Sequence, residues 1–118
     1  MTAAQHWRVT LREALLAARK DRDATRVSVL RSALSAIDNA ETPDGASVDA
    51  PESATIAGGV TGLGAAEVPR RELSDAQIRE LLRAEVDERL AAAQQVTADR
   101  AATLRAGAAV LTDLLGDV

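Results

Sequence analysis

The sequence predicts an all-α fold: four helices arranged as two antiparallel hairpins, joined by a long acidic loop that contains Gly and Pro. Three observations predict it. Apolar residues recur at spacings of three and four in four separate segments, the signature of helices with one buried stripe. The hydrophobic content of 47% is mainly Ala, Leu and Val, with Trp7 the one aromatic residue, and such a composition favours helix over strand. Between Glu41 and Arg71 the periodicity disappears and turn residues take over. At 118 residues the chain fits one domain with one modest core. Residues 1–40 form its first hairpin, 41–72 a linker and 73–118 its second hairpin.

The first helix is expected from about Ala4 to Arg19, with Trp7, Leu11, Ala14, Leu15 and Ala18 on its apolar face. Lys20-Asp-Arg-Asp23 interrupts that pattern. Asp23 can cap the second helix, because its carboxylate accepts from a free amide in the first turn. That helix runs from about Ala24 to Asn39 and sets Val27, Leu30, Leu34 and Ile37 on one side. The short connection makes the pair an antiparallel hairpin.

Turn chemistry at Thr42-Pro-Asp-Gly45, a helix-breaking Pro51 and the glycine-rich run 57–64 then read as a flexible linker. Ser74-Asp-Ala-Gln77 has the form of a capping box. Helix three follows over about Asp75 to Val96, burying Ile78, Leu81, Leu82, Val86, Ala93 and Val96. Thr97 or Asp99 caps helix four, which continues to about Leu115 with Leu104, Ala108, Leu111 and Leu115 on its stripe. Gly107 is a weak point there, worth about 1 kcal/mol against alanine.

Charge is unevenly spread. Residues 1–40 carry seven basic and four acidic side chains, 41–69 five acids and no base, and 70–118 seven bases and nine acids, which together give the net −4. A bulk nucleic-acid binder is basic overall, so any RNA contact must be local. The chain lacks cysteine, which excludes disulfides and thiolate chemistry. No apolar run resembles a signal peptide or reaches the ~18 residues of a membrane span, and a cytoplasmic location is the expectation.

No catalytic constellation emerges. His6 is the only histidine and stands near the terminus, without a third group to orient it. One histidine and no cysteine leave only carboxylates for a metal, and no metal or cofactor is implied. Gly62-Leu-Gly-Ala-Ala-Glu67 lacks the preceding strand and the Lys-Ser/Thr ending of a phosphate loop. Ser28, Ser32 and Ser35 have no lysine base beside them, since the only lysine is Lys20.

Two charged groupings remain. Glu85 and Arg89, spaced i,i+4 with the acid first, fall inside the apolar stripe of helix three. They are expected to pair with each other and with Arg26 or Arg31 across the hairpin interface, a partly buried ion pair that fixes register. Arg8, Arg12 and Arg19, continued by Arg22 and Arg26, line up beside the stripe of helix one. Guanidinium forks bind phosphates without reading sequence; the same row also reads as the solvated face of a helix, with acids interspersed and no aromatic stacking partner.

The stretch Lys20-Asp-Arg-Asp-Ala-Thr-Arg-Val-Ser-Val-Leu-Arg-Ser-Ala-Leu-Ser-Ala-Ile-Asp-Asn-Ala-Glu41 resembles the first helical hairpin of the GatB/YqeY family. Glu67-Val-Pro-Arg-Arg-Glu-Leu-Ser-Asp-Ala-Gln-Ile78, then Glu85-Val-Asp-Glu-Arg89, is similar to the family's second block, and with Asp99 to Leu111 the ordered set covers nearly the whole chain. The resemblance implies a relative of the tail domain of the B subunit of the tRNA-dependent amidotransferase, a carbon–nitrogen ligase with glutamine as amido-N-donor. The chemistry of that complex resides in other parts of it, and the tail domain engages tRNA. Gly107 stands where the family commonly has an acid, and Leu114-Leu115-Gly116 where it has Tyr-Leu-Pro, so the chain is expected to be a shortened form without the C-terminal subdomain. The function implied is a non-catalytic helical module acting with tRNA or with amidotransferase components. The alternative is a helical protein–protein interaction scaffold, homodimerising through apolar helix faces, with no RNA role.

Overall fold

The computed structural model describes residues 1–42 and 71–116. The linker expected over 41–72 lies, from 43 to 70, outside the described residues, as does its glycine-rich run. Four helices make up the described fold: α1 (Ala3–Lys20), α2 (Ala24–Glu41), α3 (Asp75–Ala93) and α4 (Ala98–Leu115). They form two hairpins, α1–α2 and α3–α4. The hairpins pack so that α2 and α3 each touch the other three helices.

Each helix starts where the chain supplies an acceptor for its first free amides. Thr2 and Gln5 form a capping box on α1, Ser74 and Gln77 another on α3, and the Asp23 carboxylate accepts from the Arg26 amide on α2. Thr97 holds the N-cap backbone conformation of α4 without a side-chain bond to it. The α1–α2 turn is a Schellman motif: the Asp23 amide donates to the Ala18 carbonyl at 2.9 Å and the Arg22 amide to the Arg19 carbonyl at 3.1 Å. This closure needs a left-handed residue, and Arg22 supplies it at φ +56°. Glycine usually stands there, and a residue with a β-carbon is disfavoured by about 1 kcal/mol.

The core is aliphatic around one indole. Leu11, Leu30, Ile37, Ile78, Leu82 and Leu111 are fully enclosed, and Trp7 is 5% exposed. The buried face of α2 is Val29, Leu30, Ala33 and Ile37, rotated from the expected one. Val27 and Leu34 sit half-buried at its edge, because α2 is packed by α1 on one side and by α3 and α4 on another. Helix α3 ends at Ala93 rather than Val96, which is 37% exposed; Gln94 and Gln95 turn the chain toward α4 with amides bonded back to Ala91 and Ala92. Gly107 is no mere weak point. It is buried where α4 crosses α2, and a β-carbon on it would stand 2.8 Å from Val29 Cγ2.

The end of the bundle away from the two turns is tied by polar contacts. The Arg71 amide donates to the Glu41 carbonyl at 2.8 Å, so the chain leaves α2 and returns to α3 within one hydrogen bond. The Trp7 indole N–H donates to Asp75 Oδ1 at 2.7 Å, and Arg79 Nε donates to Asp75 Oδ2 at 2.8 Å. The Arg79 guanidinium lies 5.3 Å from the Trp7 ring centre and caps the last turn of α4 through the Leu115 carbonyl at 2.9 Å. These contacts join α1, α3 and α4 at one point. Leu73, ahead of α3, closes the core there.

Candidate functional site: an arginine-lined groove

One groove of about 910 Å³ runs along the outer face of α2. The helical repeat places Ser28, Arg31, Ser32, Ser35 and Asn39 on that face, one or two turns apart. Arg19, at the end of α1, and Arg22, in the turn, flank the groove on the side of the turns, and Glu85 of α3 lines its wall.

Arg19, Arg22 and Arg31 are exposed and make no ion pair among the described residues. Three guanidinium forks and three hydroxyls thus face one concavity, a donor-rich surface suited to an anion with several oxygens. The nearest carboxylate is engaged elsewhere: Glu85 Oε1 accepts from Arg89 Nη1 at 3.1 Å, and the same nitrogen donates to the Glu85 carbonyl at 2.9 Å. This pair is partly buried, with side chains 21% and 16% exposed.

The structure redistributes the arginines read from the sequence. Arg8 is not part of an open basic row. It is tied to Asp38 at 2.5 Å and, more closely, to Glu41, because the hairpin brings the last turn of α2 beside the first turns of α1. Those hydrogen bonds, Glu41's first and Asp38's second, raise the Arg8 pKa above its usual value, so the charge is permanent and already satisfied. Glu41 is the buried last residue of α2, not the start of a linker. Arg26 does not cross to Glu85; it bonds Asp21 at 3.1 Å, on its own hairpin. Arg31 makes no bond to Glu85 either, but shares the groove with it. Arg12 is exposed on α1, outside the groove.

Of the five arginines in the expected row, two reach the groove, and Arg31 joins them from the expected ion-pair set. Its membership was visible in one signal: Arg31 shares a helical face with the three serines, opposite the Leu30 and Ile37 side. Among the described residues no hydrogen bond links Glu85 to a serine hydroxyl, and no group of three or more His, Cys, Asp or Glu side chains is placed to hold a metal ion. No described helix is long and apolar enough to cross a membrane. The arrangement offers donors for binding, and its serines have neither a lysine nor a histidine beside them in the groove.

No family model, curated protein or solved structure matches the chain.

Proposed function

We propose that this protein is a non-catalytic, cytoplasmic helical module of the GatB/YqeY type that contacts the phosphate backbone of tRNA, in company with the amidation machinery. One observation supports this reading above the others: Arg19, Arg22 and Arg31 face a single serine-lined groove with their charges unpaired, in a chain whose net charge is −4. The contact is local, as an acidic protein requires, and it reads phosphates rather than bases, since no aromatic side chain lines the groove.

Three phosphate contacts give a salt dependence of log affinity with slope about −2 to −3. Affinity for unfractionated tRNA should therefore fall about 16- to 64-fold between 50 and 200 mM salt. Arg19→Glu together with Arg31→Glu should remove that dependence along with the binding. Wild-type protein that binds no tRNA at 50 mM salt rejects the proposal.

A second reading rests on a different face. Val9 and Leu16 stand two turns apart on one face of α1, 44% and 54% exposed, with exposed Arg12 and Glu13 between them, a mixed face that another helix could cover. In that reading the chain is an interaction scaffold or homodimer. Sedimentation of wild type against Val9→Glu with Leu16→Glu decides it, because a dimer through α1 would dissociate.

A further inference from the structure

We infer that Arg22 is the anchor of the groove, a phosphate-contacting residue that the turn holds in place at the expense of fold stability; this rests on the RNA-contact reading above. Two independent features lead there. The first is conformational. The Schellman closure from Asp23 to Ala18 requires a left-handed residue at position 22, and any side chain with a β-carbon strains it where glycine would not. Nothing in the turn's own hydrogen bonding uses the arginine side chain, so the turn by itself gives no reason for an arginine there.

The second feature is chemical. Arg26, four residues on, is drawn to Asp21, while the Arg22 guanidinium lines the groove without a carboxylate partner among the described residues. Its backbone is fixed on both sides, by the end of α1 and the capped start of α2. A long side chain on a fixed base loses less freedom on binding than one on a loose loop. Arg31 then extends the contact along α2 and Arg19 along the end of α1, with the Ser28 hydroxyl lining the same groove. The ligand is accordingly an RNA backbone that presents successive phosphates to the groove.

The test separates this inference from the reading beneath it. Arg22→Gly and Arg22→Lys are compared with wild type for thermal unfolding and for tRNA affinity across a salt series. Arg22→Gly should raise Tm by about 2–5 °C. It should weaken tRNA binding about fivefold near 0.15 M salt and make the salt slope shallower by about one. Arg22→Lys keeps both the strain and the charge, and should leave Tm and the slope within error of wild type. If Arg22→Gly leaves affinity and slope unchanged while wild type binds, the anchor assignment is wrong and the RNA reading stands. A Tm that falls with glycine also overturns it, because the strain would not exist. Wild type without salt-sensitive binding overturns both.

Discussion

A β-carbon on Gly107 would stand 2.8 Å from Cγ2 of Val29, closer than packed carbon atoms tolerate. Val29 is 4% exposed, and its branched side chain is held to one strongly preferred rotamer in a helix. Helix propensity alone predicts that Gly107→Ala stabilises by about 1 kcal/mol. Overpacking reverses the sign: forced against the stiff Val29 side chain, the methyl should destabilise the fold by about 1 kcal/mol net. In a Val29→Ala background the clash is gone and the substitution should become neutral or favourable, a coupling of about 1–2 kcal/mol read from a urea-denaturation double-mutant cycle. Additive effects would show that α2 and α4 do not approach as described.

Arg8 and the groove arginines should part company in their effects. Arg8 and Glu41 have side chains only 16% and 10% exposed, so their hydrogen bonds are largely withdrawn from water. Arg8→Ala should lower unfolding free energy by about 1–3 kcal/mol while leaving the salt slope of tRNA affinity unchanged. The Arg19→Glu, Arg31→Glu pair should change that slope with a shift in stability under about 1 kcal/mol, since exposed charges contribute little to folding. An unchanged denaturation midpoint in Arg8→Ala would contradict the buried pairing.

The contrast follows from what a sequence can carry. Ser74-x-x-Gln77 and Asp23 sit within three residues of the amides they satisfy, so local spacing was enough to place those helix starts. Thr2-x-x-Gln5 carries the same signature and marks the start of α1 equally well. The Ile78 and Leu82 pair is likewise legible, because i,i+4 spacing sets both on one face, while Leu81 and Val86, expected on the same stripe, are half-buried. Helix α2 has its buried set Val29, Leu30, Ala33 and Ile37 turned away from the Val27 and Leu34 side that the spacing favours, because α4 packs on it as well as α1. Arg8 and Glu41 stand 33 positions apart, and Trp7 and Asp75 stand 68 apart. No local pattern links such residues, so whether an arginine is satisfied or open depended on the fold. Arg8 left the open row for that reason, whereas Arg31's place beside the serines follows from local spacing.

The hydrogen bond from the Arg71 amide to the Glu41 carbonyl, 2.8 Å long, brings together the described residues on either side of 43–69. The ends that 43–69 connects are already adjacent, so a four-residue Gly/Asn turn can span them. Shortening the closed loop several-fold reduces its closure entropy by about 1–2 kcal/mol. The shortened chain should keep its helical circular dichroism and unfold at the same temperature or a few degrees higher. Loss of cooperative unfolding would instead assign part of the core to the excised residues.

Acid should loosen the end of the bundle where the two hairpins are tied. The Trp7 indole and then Arg79 hold the Asp75 carboxylate's pKa below the usual aspartate range. A depressed folded-state pKa means that the contribution is present above the unfolded-state value, near 4, and is lost as pH falls through the folded one. Trp7 is the only aromatic residue, so its emission reports this site alone. Wild-type emission should shift as the pH is lowered below about 4, alongside a falling Tm. In Asp75→Asn the neutral amide can still accept from the indole but has no proton to gain, so the emission step should vanish and the acid dependence of Tm should flatten. An identical step in both proteins would place the titrating group elsewhere and remove Asp75 from the link between α1 and α3.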